Sequence, residues 1–502
     1  MSDQEPSGAS EPYRLSTLGR HSLVYGLGFV LSKAVSVIML PIYTRWLTPT
    51  DYGALQLITM TFEFVAIIAG SRLALGLFHF YHKAEDDPGR REVLSTAWLL
   101  LAVTYWLAAA ATFAVAPWIA DFVFEGVGRA PTLIRLAAVS MAFEGLMIVP
   151  MALCQLNARS SLFVGIGLAK LALQVACNLV FLIPMRMGVM GVLWGSVTTH
   201  AVSGVALSIW LFRSARGRFA MRTALPFLRF GVPLVAMNLA MYVATFGDRY
   251  FLNRAGSPAD VGLYGLAIQF GFLVGTVVYT PFGLIWDPQR FAVAKRPDRD
   301  SIFARVFIYI SVPLVSMALG IALFAGDVLR VMATPDFLPA AAFVPAIMAA
   351  YVLQSWSFFL NIGTFVSEKT EYYTAANWAA AAVAIAGFFL LIPPFLTWGA
   401  TVTVLIRMCV LCGLTYWFSQ RLFPIQYRWG PIFLLACLAI ATGLISALLP
   451  DLALVPSIAA HCALFAAYAL LLWFLPILSR EERGALWAIV SRRLSPLAAL
   501  SA

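Results

Sequence analysis

The sequence predicts an all-α polytopic membrane protein of about fourteen transmembrane helices, and three observations predict it. Of 502 residues, 61% are hydrophobic and 12% charged, with a mean hydropathy of +0.85; soluble proteins are about half apolar and about a quarter charged. Apolar runs long enough to cross a bilayer, about 20 residues each, follow one another along the chain. Lysine and arginine concentrate in alternate linkers between those runs. The net charge of +10 is spread over such linkers, so it points to membrane topology and away from nucleic acid.

The runs lie at about 19–43, 53–80, 93–116, 132–157, 160–184, 189–212, 225–250, 261–286, 302–325, 338–366, 374–393, 397–420, 430–449 and 453–478. Pro184, Pro393 and Pro450 support the three narrowest divisions, because proline stops or kinks a helix. With the N-terminus in the cytoplasm, the inside linkers and span ends hold 23 lysines and arginines and the outside ones seven. That asymmetry places both termini inside. Residues 1–18, beginning "MSDQEPSGASEPYR", lack the basic start, apolar core and cleavage site of a signal peptide, so span one is expected to stay in the membrane. In the tail, 479–502, Trp487, Val490 and Leu494 recur at helical spacing among arginines and read as an amphipathic helix on the cytoplasmic surface. The six cysteines fall in or beside spans. Cys409 and Cys412 form a CxxC, but with no second pair they read as small buried residues.

One turn is written twice. "RWLTPTDYG" (45–53) and "RAGSPADVG" (254–262) match at Arg45/Arg254, Thr48/Ser257, Pro49/Pro258, Asp51/Asp260 and Gly53/Gly262, each pair 209 residues apart. Arg20 and Arg229 share the offset, as do "LIP" at 182–184 and "LIP" at 391–393. Six spans separate the copies, so both face the same side. An internal duplication follows: parallel six-helix lobes at 19–220 and 221–425, an arrangement found in transporters. Spans thirteen and fourteen (426–478) are appended. Locally the motif is a helix start: Thr48 or Ser257 caps, proline occupies the first turn, and the aspartate meets the positive end of the helix dipole.

"LPIYTRWLTPTDYGALQLI", "GDRYFLNRAGSPADVGLYGLA" and "SEKTEYYTAANW…LLIPPFLTWGA" resemble, in order and spacing, the polysaccharide (O-antigen-type) lipid-linked oligosaccharide flippases. These belong to the multidrug/oligosaccharidyl-lipid/polysaccharide exporter superfamily. The resemblance covers nearly the whole chain. It implies two lobes around a central cavity in a bacterial cytoplasmic (inner) membrane. It also implies alternating access that carries a polyprenyl-(pyro)phosphate-linked oligosaccharide from the cytoplasmic to the outer face. An H+ or Na+ gradient would drive this, with no other cofactor, and a polysaccharide polymerase and glycosyltransferases would be partners. No GxxxxGK[ST] phosphate loop occurs in the chain, in keeping with a secondary transporter.

Ionisable groups deep in spans are costly and mark function by default. They are Lys33 in span one, Glu63 and Arg72 in span two, Glu144 in span four, Lys170 in span five and Arg407 in span twelve. Lys33–Glu63 and Glu144–Lys170 are plausible pairs, structural or functional; Arg407 has no acidic partner in adjacent spans. Shifting by 209 turns Lys33, Glu63, Arg72, Glu144 and Lys170 into Tyr242, Phe272, Pro281, Leu353 and Ala379, and Arg407 into Thr198. The scaffold is duplicated and its buried charges are not. A pyrophosphate headgroup needs cations in a partly dehydrated site, which Lys33, Arg72 and Lys170 are expected to supply. Glu63 or Glu144 is expected to carry the coupling ion. Asp248, as a further ion-coupling candidate, and Arg249, Arg45 and Arg254, as substrate contacts, are expected at the outer rim.

Two other functions remain open. A cation-coupled multidrug exporter of the same superfamily would favour an acidic cavity, and the first lobe is basic. A membrane glycan polymerase or ligase needs a sizeable catalytic outer loop. The longest outer linker, about 117–131, offers only Asp121, Glu125 and Arg129, and His79, His82 and His200 lack nucleophile–carboxylate partners at useful spacing.

Overall fold

The computed structural model describes residues 39–70, 73–124, 129–157, 159–215, 217–450 and 452–476. Most of span one, with Lys33, and also Arg72 and the tail helix 479–502 lie outside the described residues. The described chain is built of helices, with no strand among the described residues.

The elements in order are α1 (Pro49–Ile68), α2 (Ala74–Lys83), α3 (Asp87–Ala114), α4 (Ala116–Val123), α5 (Ala130–Leu156), α6 (Ser160–Leu182), α7 (Val189–Ser214) and α8 (Met221–Ala255). Then follow α9 (Pro258–Val274), a π-helical segment Gly275–Tyr279, α10 (Thr280–Ala294), α11 (Arg299–Met332) and a 3-10 segment Pro335–Phe343. The last are α12 (Val344–Leu360), α13 (Ile362–Val366), α14 (Thr370–Leu390), α15 (Ile392–Leu422), α16 (Trp429–Ala447) and α17 (Leu454–Phe474). Twelve helical stretches among the described residues are long and apolar enough to cross a membrane. They coincide with predicted spans two to six and eight to fourteen; span seven falls within α8.

Two boundaries differ from the apolar runs. The run 53–80 is two helices, α1 and α2, because Gly70 takes the left-handed conformation (φ +99°), which glycine adopts at little cost. The run starting at 261 is one stretch from Pro258 to Ala294 with the π segment inside it. The proline divisions hold: Arg186 and Gly188 have positive φ after Pro184, and Leu396 (φ +47°) breaks helical geometry after Pro393. α16 ends at Ala447 and α17 starts at Leu454, either side of Pro450.

The chain forms two compact units. One comprises Val65–Val115 and Thr132–Ala236; the other comprises Leu40–Phe64, Ala116–Pro131 and the described chain from Met237 onward. α1 and α8 each contribute to both. In the first unit, Arg222 donates to both carboxylate oxygens of Glu92 (3.2 and 2.8 Å) and Thr223 adds a third bond of 2.7 Å, fixing the start of α8 to α3. His79 stacks flat on Phe230, centroids 5.8 Å apart. Gly145 faces the Tyr105 ring, and Gly204 the Phe143 carbonyl, so glycine lets helices close on each other there.

The second unit contains both copies of the duplicated turn. Thr48 Oγ1 donates to Asp51 Oδ2 (2.8 Å), and the Asp51 amide donates to Thr48 Oγ1 (3.1 Å). Ser257 Oγ donates to Asp260 Oδ2 (2.7 Å), and the Asp260 amide to Ser257 Oγ (3.3 Å). These are reciprocal N-caps with proline at the first helical position. The copies also pack on one another: a side chain at Gly53 would strike the Pro258 carbonyl, and one at Gly262 the Pro49 carbonyl. The contact is reciprocal, as a two-fold-related pair requires. It explains why the motif ends in glycine in both copies.

Candidate functional site

The first charged cluster lies in the second unit. Asp248 and Arg249 on α8 are buried, 1% and 4% exposed. Arg249 Nη1 donates to Asp248 Oδ1 at 2.7 Å, and the Arg249 amide donates to the same oxygen at 2.9 Å. Tyr264 on α9 donates its hydroxyl to Asp248 Oδ2 at 2.6 Å. The guanidinium lies over the rings of Phe246 and Tyr264, 5.3 and 5.2 Å from their centroids. Both carboxylate oxygens are thus engaged, while Arg249 Nε is buried without a partner. This is a buried internal pair.

Arg407 on α15 and Tyr351 on α12 belong to the same cluster: both interact electrostatically with Asp248 and Arg249. The Tyr351 ring fits against Gly271 of α9, where any side chain would collide with it. Arg407 makes no hydrogen bond or close ion pair among the described residues. Two guanidiniums against one carboxylate leave the cluster net positive, and one of the two is uncommitted. Such a group at membrane depth is costly unless something anionic meets it.

The second cluster lies in the first unit. Glu144 on α5 and Lys170 on α6 interact electrostatically without closing to a direct ion pair. The predicted pairing is therefore looser than a salt bridge. His200 on α7 joins them: its Nδ1 lies 2.8 Å from Ser140 Oγ, and Lys170 acts on it electrostatically. No spacing in the sequence groups His200 with these charges.

Arg45 and Arg254 lie at helix ends, and Glu63 shares Tyr242 with the Asp248–Arg249 cluster. Arg45 donates to the Val331 carbonyl at 3.0 Å, capping the end of α11. Arg254 is exposed in the last turn of α8. Glu63 on α1 acts electrostatically on Tyr242 and Tyr250, and these are tied to its own helix by Tyr242 OH to Met60 O (2.6 Å) and Thr61 Oγ1 to Tyr250 OH (3.0 Å). Lys33 and Arg72 lie outside the described residues. The cysteines are free, Cys409 exposed and Cys412 buried. No group of His, Cys, Asp and Glu able to hold a metal occurs among the described residues.

Two polar clusters escape the sequence reading. Arg290 on α10 is buried, with Nη1 donating to Asn361 Oδ1 (2.8 Å) and the Phe358 carbonyl (3.1 Å). Asp327 on α11 accepts from Ser457 and pairs with His461 on α17, both at 2.6 Å. Span nine reads as ending at 325, so Asp327 looks like a linker residue in sequence.

Against solved structures, the chain matches a lipid II flippase MurJ in an inward closed conformation, with a TM-score of 0.72 at 8% identity. The match covers 89% of this chain and 98% of that one. An inward-facing multidrug resistance MATE transporter of the MOP superfamily matches with a TM-score of 0.58 at 16% identity, over 78% and 94%. A MATE structure in complex with MaD3S gives 0.51 at 15% identity, over 81% and 95%. At these identities the likeness establishes the fold: the chain is a multi-pass helical membrane protein with the fold of these structures. No curated protein sequence matches it. The family model described as "Polysaccharide biosynthesis protein" matches residues 42–342, more than half the chain, and the chain belongs to that family. The family resemblance read from the sequence is borne out.

Proposed function

We propose that this protein is a flippase that carries a polyprenyl-(pyro)phosphate-linked oligosaccharide from the cytoplasmic to the outer face of the membrane, by ion-driven alternating access. The observation that carries the reading is the conjunction of a polysaccharide-biosynthesis family with the fold, over nearly its full length, of a lipid II flippase. Transport of this kind needs no covalent chemistry from the chain, only a site that holds the headgroup and exchanges faces.

The charge pattern supports an anionic headgroup. Arg407 adds to Lys33, Arg72 and Lys170 a guanidinium free of hydrogen bonds, whose planar fork suits phosphate. Arg249 is committed to Asp248 and serves to fix the local field. Glu144, loosely coupled to Lys170, remains the acidic candidate for the coupling ion, with Glu63. In this reading Arg45 and Arg254 lie at the outer ends of helices and steer or anchor the protein there.

Arg407→Gln, Lys33→Ala and Arg72→Ala are expected to abolish export of the glycan while leaving protein level and melting temperature unchanged. Thr198→Val, at the position equivalent to Arg407, is expected to leave export intact. Normal export by all three charge variants would remove the headgroup site.

A further inference from the structure

The junction between α11 and the appended helix α17 holds a polar trio that transport as proposed above does not use. Asp327 is 3% exposed. Its Oδ1 accepts from Ser457 Oγ and its Oδ2 lies against His461 Nδ1, both at 2.6 Å. Ser457 and His461 are four residues apart and share one face of α17. Ser457 is in the first turns of that helix, where backbone amides favour a negative charge. Both oxygens of one carboxylate are therefore spent on holding α17.

The geometry fixes how the imidazole is used. An aspartate can only accept, so His461 Nδ1 carries the hydrogen. The other ring nitrogen, Nε2, has no partner among the described residues. The side chain is 14% exposed. A proton arriving at Nε2 turns the imidazole's hydrogen bond to the carboxylate into an ion pair, with the contacts of the trio kept. The surrounding groups do not pre-empt that proton. On α11, Arg330 Nη1 stands 4.0 Å from Asp327 Oδ1 and donates to the Leu452 carbonyl at 3.0 Å, and Phe324 meets the imidazole edge-on. α17 itself adds Cys462 and Tyr468, the latter bonded to Ser316 of α11 at 3.0 Å. α16, which also packs on α17, brings no ionisable side chain but Cys437.

We propose that Asp327, His461 and Ser457 form a proton-binding site, and that protonation at His461 tightens the docking of α17 on α11. The proton comes from the aqueous phase. Docking is therefore firm at acidic pH, where His461 holds the second proton, and loosens as the pH rises. The sign follows from the charges: protonation sets a cation against the carboxylate, and deprotonation leaves only the hydrogen bond.

The test uses the full chain in lipid nanodiscs. Imidazole NMR identifies the His461 signal as the one missing in His461→Gln and follows it with pH. Amide exchange over 454–461, corrected for the intrinsic pH dependence of exchange, reports docking, with α7 as internal reference. In the wild type the signal is expected to move with pH, and protection of 454–461 to fall at least tenfold from the acidic to the basic end of the series. His461→Gln keeps the fold and loses that pH dependence. Ser457→Ala weakens protection at every pH but keeps the dependence. An imidazole that does not titrate, or the same pH dependence in His461→Gln, overturns the proposal.

Discussion

The two copies of the duplicated helix begin alike and then part. α1 starts at Pro49 with a Thr48–Asp51 cap, and α9 starts at Pro258 with a Ser257–Asp260 cap. Some twenty residues on, at equivalent stations, the first copy breaks at left-handed Gly70. The second continues through the π segment Gly275–Tyr279, where the Thr280 hydroxyl returns to the Gly275 carbonyl at 3.0 Å. Beyond these points Arg72 in one copy answers to Pro281 in the other. The duplication thus preserves helix starts and their packing, while the interiors carry different interruptions and different charges. π segments and chain breaks within membrane helices are characteristic of working regions, and here they fall where the symmetry fails.

The comparison can be broken at its shared part. The largest effect is expected from Gly53→Ala and Gly262→Ala, each of which drives a methyl group into the carbonyl of the opposite proline. Each is expected to cost about 1–3 kcal/mol, by thermal unfolding of the purified chain. The two costs should be similar, because the contact is reciprocal. Gly165→Ala, with nothing within 4 Å of its Cβ, serves as the control and should not destabilise. An unchanged melting point in both turn variants would mean that the paired starts do not pack as described.

A smaller effect separates the copies. Asp51→Ala and Asp260→Ala each remove the acidic half of a capping box, worth about 1 kcal/mol. Asp260 also accepts from Thr397 at 3.3 Å, while Asp51 also accepts the Thr48 amide at 3.1 Å. The further bond ties α9 to α15 in one copy and stays within the turn in the other. Thr397→Val is therefore expected to cost up to about 1 kcal/mol in the wild type and nothing in Asp260→Ala, while leaving the cost of Asp51→Ala unchanged. Equal costs of Thr397→Val in the wild type and in Asp260→Ala would show that the Thr397 bond contributes nothing.

Much of this architecture was legible in the sequence because it is local. Spans follow from hydropathy, caps from Thr48, Ser257 and their aspartates, and helix divisions from Pro184, Pro393 and Pro450. The break at Gly70 was not legible, since the apolar run continues through it and glycine also occurs inside intact helices. The depth of the buried charges could be read, but not their partners. Arg407 and Tyr351 reach Asp248 only because α8, α9, α12 and α15 converge, and no spacing rule encodes that. His461 and Asp327 were hidden for a similar reason: one looks like a lone histidine in span fourteen and the other like a linker residue until α17 is laid against α11.

The flippase activity proposed above is tested most directly by the sidedness of the lipid-linked oligosaccharide in cells lacking the protein. A membrane-impermeant glycosidase is applied to spheroplasts and to inverted vesicles. The account predicts that lipid-linked oligosaccharide accumulates where only the inverted vesicles expose it, that surface polysaccharide is lost, and that the wild-type chain restores both. Normal surface glycan without such accumulation, together with new sensitivity to cationic drugs, would contradict it and place the protein among drug exporters.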